Sequence, residues 1–115
     1  MHMEKRLVRT IEAMSSEERK LVAKKLTCIV DEIEKYRNAY FWSPSRIAVH
    51  RRLNEFEHSE TVAIGEYEIT FTSRYRESCQ NCYYSKELCF NGKKTNTTRL
   101  NSIIAKIKEL EKVEE

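Results

Sequence analysis

The chain has 115 residues, of which 40% are hydrophobic and 34% charged, and it carries a net charge of +3. This length suits one domain, residues 1–115, with one core, and the balance excludes a disordered chain. No apolar run is long enough to span a membrane, and a small basic excess permits a nucleic-acid partner without requiring one.

Met1-His2-Met3-Glu4-Lys5-Arg6 is polar and shows no secretory signal, which predicts a cytoplasmic protein. Leu7, Val8, Ile11 and Met14 recur at helical spacing and predict a short amphipathic helix over residues 4–14. Ser15, with Glu18 three residues later, forms a capping box, so a second helix starts there. Its stripe, Val22, Leu26, Ile29, Ile33, Tyr36 and Tyr40, has a mean period of about 3.5 residues, as in helix pairing. The stripe can pack on its own domain or form a seam between two subunits. Cys28, beside it, reads as a buried thiol.

Tyr40-Phe41-Trp42 gathers three aromatics before a break and reads as a core lid or as a stacking platform for bases. Ser43-Pro44 then supplies an N-cap candidate and a proline at the first helical position. The predicted third helix runs from Pro44 to about Phe56, with Val49, Leu53 and Phe56 inward and Arg46, His50, Arg51 and Asn54 outward. Its first half is basic, against the preference of the helix dipole. An anion at its start would explain this; a solvated face is the alternative. His58-Ser59-Glu60 closes the helix, residues 61–64 read as a short strand, and Gly65-Glu66 is a bend.

From Tyr67 the pattern changes. Tyr67, Ile69, Phe71, Ser73 and Tyr75 alternate with Glu68, Thr70, Thr72, Arg74 and Arg76, a period of two that predicts a strand with one dry face. A second run, Tyr83 to Phe90, returns after Cys79-Gln80-Asn81-Cys82 and ends at the turn pair Asn91-Gly92. With Gln80-Asn81 as the turn, Cys79 faces Cys82, Phe71 faces Phe90, and Ser73 faces Leu88. A slip of two residues would keep the same faces. Lys93 and Lys94 follow, and Asn96 or Thr97 can cap a last helix whose stripe is Leu100, Ile103, Ile104, Ile107 and Leu110. The expected fold class is therefore α+β: three N-terminal helices, a long antiparallel β-hairpin and a C-terminal helix.

No catalytic signature stands out. Asp31 is the only aspartate, which argues against a carboxylate-rich metal-dependent nuclease. Gly65 and Gly92 are the only glycines, so no glycine-rich phosphate loop exists. Cys79 and Cys82 read first as unbridged thiols, and their spacing also suits a zinc knuckle or a cross-strand disulfide. Cys89 would be the next zinc ligand, but the expected register puts it on the opposite face. No other cofactor is implied. A composition rich in Glu, Lys and Arg and poor in Gln, Gly and Pro fits a thermophile, where cytosolic disulfides occur.

The basic groups form three sets: Arg46, Arg51 and Arg52; Arg74 and Arg76; and Lys93, Lys94 and Arg99. Together they would make a phosphate-binding surface. The order helix, helix, proline-started helix, hairpin, helix resembles a winged helix-turn-helix domain, and Ser43 to Phe56 is similar to the recognition helix of that family. The resemblance implies that Ser45, Arg46, His50 and Arg51 face the major groove of double-stranded DNA and that Arg74 and Arg76 are wing contacts. It also implies that the last helix pairs two subunits of a dimeric transcriptional regulator. The second helix is about twice the family's usual length, and the hairpin strands are long for a wing. A protein-interaction module of viral or mobile-element type, using the aromatic cluster or the heptad seam, is the other reading.

Overall fold

A computed structural model describes residues 4–35, 54–77 and 82–114. Helix α1 spans Lys5–Ala13 and α2 spans Ser16–Lys35. Strands β1 (Asn54–Ile64), β2 (Tyr67–Glu77), β3 (Cys82–Phe90) and β4 (Lys93–Lys94) follow, and α3 covers Thr97–Glu114. The strands form one antiparallel sheet in chain order, β1-β2-β3-β4.

Local chemistry sets most of these boundaries. Ser15 caps α2, its Oγ accepting from the Glu18 N–H at 3.1 Å, and Glu17 and Glu18 occupy the first turn, where the helix dipole favours acids. Asn96 caps α3 through its Oδ1, which accepts from the Thr98 N–H at 3.1 Å. Two-residue turns close the outer hairpins. Gly65 opens the β1–β2 turn at φ +60°, as a turn with glycine first requires. Asn91 and Gly92 both hold positive φ, 50° and 79°, which matches the strands' right-handed twist. Asn91 is also tied to β2: its N–H donates to the Glu68 carbonyl and its Oδ1 accepts from the Glu68 N–H, both at 2.8 Å.

The helices cover one face of the sheet. Leu7 and Ile11 of α1, Val22, Leu26, Ile29 and Ile33 of α2, and Leu100, Ile103, Ile104 and Ile107 of α3 close over Val62, Ile64, Tyr67, Ile69, Phe71, Leu88 and Phe90. The alternation expected of β2 is observed: all five odd residues from Tyr67 to Tyr75 are buried, while Glu68, Thr72, Arg74 and Arg76 are exposed on the far face. Helices α2 and α3 run antiparallel. Ser16 at the start of α2 reaches Glu111 near the end of α3, whereas Ile33 lies beside Thr97.

Four expectations need correction. Among the described residues two helices precede the sheet, not three; residues 44–53 of the expected third helix lie outside the described residues, and its last part is strand. Strand β1 begins at Asn54, so the stretch through His58-Ser59-Glu60 is extended and not a helix end. The β2–β3 register is slipped by two, so Phe71 faces Leu88, Ile69 faces Phe90, and Cys82 faces Glu77 rather than Cys79. Cys28 is exposed, because it lies on the side of α2 away from the core. The stripes of α2 and α3 bury each other within one chain.

Candidate functional site

The described basic residues fall into two environments. Arg74 and Arg76 project from β2, which has a neighbour on each side, so they stand within a sheet and not on the rim of a two-stranded wing. Arg74 Nη2 lies 3.3 Å from Glu57 Oε1 on the adjoining strand, an exposed pair that neutralises the arginine locally. The neighbouring Ser59 and Thr72 hydroxyls bond to each other at 3.2 Å. On the far face these two contacts join β1 and β2 beside Arg74.

Lys86, Lys93, Lys94 and Arg99 behave differently. They border two adjoining cavities around β4 and the first turn of α3. One, of about 310 Å³, is lined by Lys86 and Lys94 with Thr95, Asn96 and Thr97; the other, of about 250 Å³, by Lys93, Lys94 and Arg99 with Tyr67 and Phe90. None of the four cations has an ion-pair partner among the described residues. Glu87 and Glu4 stand at the cavity rims, and Glu87 already accepts from the Cys89 thiol at 3.7 Å. The first turn of α3 contains no acid. Arg99 is held in place by its ring contact, with its guanidinium carbon 4.3 Å above the centre of Phe90, which itself packs at 5.4 Å on Tyr67. Its Nε makes no hydrogen bond among the described residues.

Lys93, Lys94 and Arg99 are therefore brought together as anticipated, and Lys86 joins them unannounced. Lys86 sits on the inward-facing parity of β3, opposite Ser73, but past the margin of the core where the lysine reaches water. The two-residue register slip hid this position. Ser45, Arg46, His50 and Arg51 lie outside the described residues, as do Tyr40-Phe41-Trp42 and Cys79. Among the described residues no group of three His, Cys, Asp or Glu side chains could hold a metal ion. Cys89 is buried on the sheet face away from the helices, paired with Thr70 and Lys94.

A polar cluster under the sheet also escaped the sequence reading. Glu32 of α2 accepts a hydrogen bond from the Ser73 hydroxyl through Oε2, and its Oε1 lies 2.8 Å from His58 Nδ1. His58 Nε2 is 3.4 Å from Glu60 Oε2, and its ring meets Phe71 edge-on at 5.7 Å. Serine, histidine and carboxylate suggest a nucleophile relay, but the order is wrong for one: the carboxylate stands between serine and histidine. Ser73 is 1% exposed, so no substrate reaches it. The cluster clamps α2 onto the sheet where the apolar core ends.

No helix among the described residues is long and apolar enough to cross a membrane. In comparisons with known proteins the chain matches no family model, no curated protein and no solved structure.

Proposed function

We propose that this protein binds the phosphate backbone of nucleic acid, double-stranded DNA first, through the rim formed by β4 and the start of α3. The observation that carries this reading is the gathering of Lys86, Lys93, Lys94 and Arg99 around an acid-free helix start, with no ion-pair partner among the described residues. Cations held this way attract an anionic partner, and the α3 dipole adds to the attraction. Phosphate contacts position a protein on DNA, whereas base edges specify sequence. The expected recognition residues Ser45, Arg46, His50 and Arg51 would supply that second part in a cytoplasmic regulator.

The test is fluorescence anisotropy with a mixed-sequence duplex at several salt concentrations. About four phosphate contacts give a log–log salt slope of roughly −3.5, and micromolar or weaker affinity at physiological salt. Replacing Lys93 and Lys94 with glutamate should flatten the slope by about two units. No binding at low salt, or a double variant that binds like the parent, would refute the proposal.

A further inference from the structure

On the outer side of the helix layer, α2 and α3 leave a groove of about 660 Å³ lined by Lys20, Lys24, Lys108 and Lys112 around a floor of Ala23, Thr27, Cys28 and Ile107. Lys20 and Lys24 lie one helical turn apart on α2, and Lys108 and Lys112 one turn apart on α3. Since the helices are antiparallel, the two pairs face each other across the groove and form two rows of positive charge. None of the four lysines has an ion-pair partner among the described residues. The one acid in the wall, Glu111, is committed elsewhere: it accepts from Ser16 Oγ at 2.7 Å and lies 3.5 Å from Nε of the buried Arg19. Leu21, the exposed large hydrophobic residue of the described chain at 53% exposure, stands on the flank of α2 beyond Cys28.

We infer that this groove is a docking surface for an acidic amphipathic helix of a partner protein. Three physical points select that occupant. The floor consists of small side chains, apart from Ile107, which lets a third helix approach at close interaxial distance. The two lysine rows complement glutamates on both flanks of an apolar stripe, and like-charge juxtaposition excludes a second copy of this groove by symmetry. A nucleic-acid backbone would use the lysine heads but leave Ala23, Cys28 and the lysine stems wet, whereas a side-chain stripe would cover them. The surface lies on α2 and α3 outside the sheet, away from β4 and the start of α3, so this inference does not rest on the phosphate-binding rim.

The test uses a synthetic amphipathic peptide of about 15 residues, long enough to hold some helix, with alanine and leucine on one face and glutamate on both flanks. A copy with lysine in place of glutamate serves as the control. Two readouts are taken: anisotropy of the labelled peptide, and the rate at which iodoacetamide alkylates Cys28, followed by mass mapping. The expected result is saturable binding of the acidic peptide only, at least tenfold weaker to the Lys24→Glu/Lys108→Glu variant, with Cys28 alkylation slowed severalfold on the parent protein. The alkylation readout needs no variant, so a misfolded double mutant does not spare the inference. It is overturned by no binding of the acidic peptide, by equal binding of both peptides, or by unchanged Cys28 reactivity in the complex. Protection of Cys28 by duplex DNA but not by the peptide, or by raised protein concentration alone, also overturns it in favour of those occupants.

Discussion

Replacing Glu32 with alanine tests the clamp that joins α2 to the sheet. In the folded protein one carboxylate serves two partners, the Ser73 hydroxyl and His58 Nδ1. Ser73 is fully buried, so its hydroxyl has no water to replace the lost acceptor. A hydrogen bond to a charged group contributes about 1.5–3 kcal/mol, and stranding a buried donor costs a similar amount. The His58 contact is a third exposed on the histidine side and adds roughly 0–1 kcal/mol. Glu32→Ala should therefore destabilise the fold by about 2–4 kcal/mol, a large share of the ~5–15 kcal/mol typical of a domain. At a urea m-value of about 2 kcal/mol/M the unfolding midpoint falls by roughly 1–2 M. Glu32→Gln keeps an acceptor oxygen and should cost about half as much. Ser73→Ala removes the donor along with the need for it, so the Glu32/Ser73 double-mutant cycle should show a coupling of about 1–2 kcal/mol. If Glu32→Ala stays within ~0.5 kcal/mol of the parent, or the cycle is additive within that margin, the clamp is not a structural device.

Three further perturbations follow from the same structure. Gly65→Ala places a Cβ against the Thr10 methyl at a residue with φ +60°, and should lower stability by about 1–2 kcal/mol in urea unfolding. Adding Thr10→Ala should relieve the contact but not the backbone strain, so partial recovery is expected. Asn96→Ala removes the cap of α3 and should cost about 1 kcal/mol by the same assay, whereas Asn96→Asp should cost little. In native buffer Cys28 should react with iodoacetamide far faster than Cys89, because one thiol is exposed and the other buried; mass mapping after partial labelling measures the ratio.

The sequence alone settled what depends on neighbours along the chain. Period-two alternation assigned every face of β2, heptad-like spacing assigned the stripe of α2, and helical periodicity assigned that of α3. Ser15 marked one helix start, Asn96 or Thr97 another, and Asn91-Gly92 marked a turn, because a cap or a turn is satisfied within a few residues of itself. Strand β1 was the exception: its inward residues His58 and Glu60 are polar, so the alternation of its first half carried no hydrophobic contrast. They are polar because His58 meets Glu32, a residue of another element that no local pattern reveals, and Glu60 meets His58.

Tertiary structure decided the rest, and in each case the deciding contact is long in range. A slip of two residues between β2 and β3 leaves every side chain on its own face, so hydrophobicity cannot choose between registers. The ladder itself settles the matter, closing at Glu77 opposite Cys82, with Asn91 bonded back to Glu68. That choice carries Lys86 to the rim beside Lys94 and separates Cys82 from a direct pairing with Cys79. That the α2 stripe packs within its own chain depended likewise on α2 finding α3, two helices far apart in sequence. Only their packing brought Lys20, Lys24, Lys108 and Lys112 around one groove, because the charge of a surface belongs to the residues that folding makes neighbours.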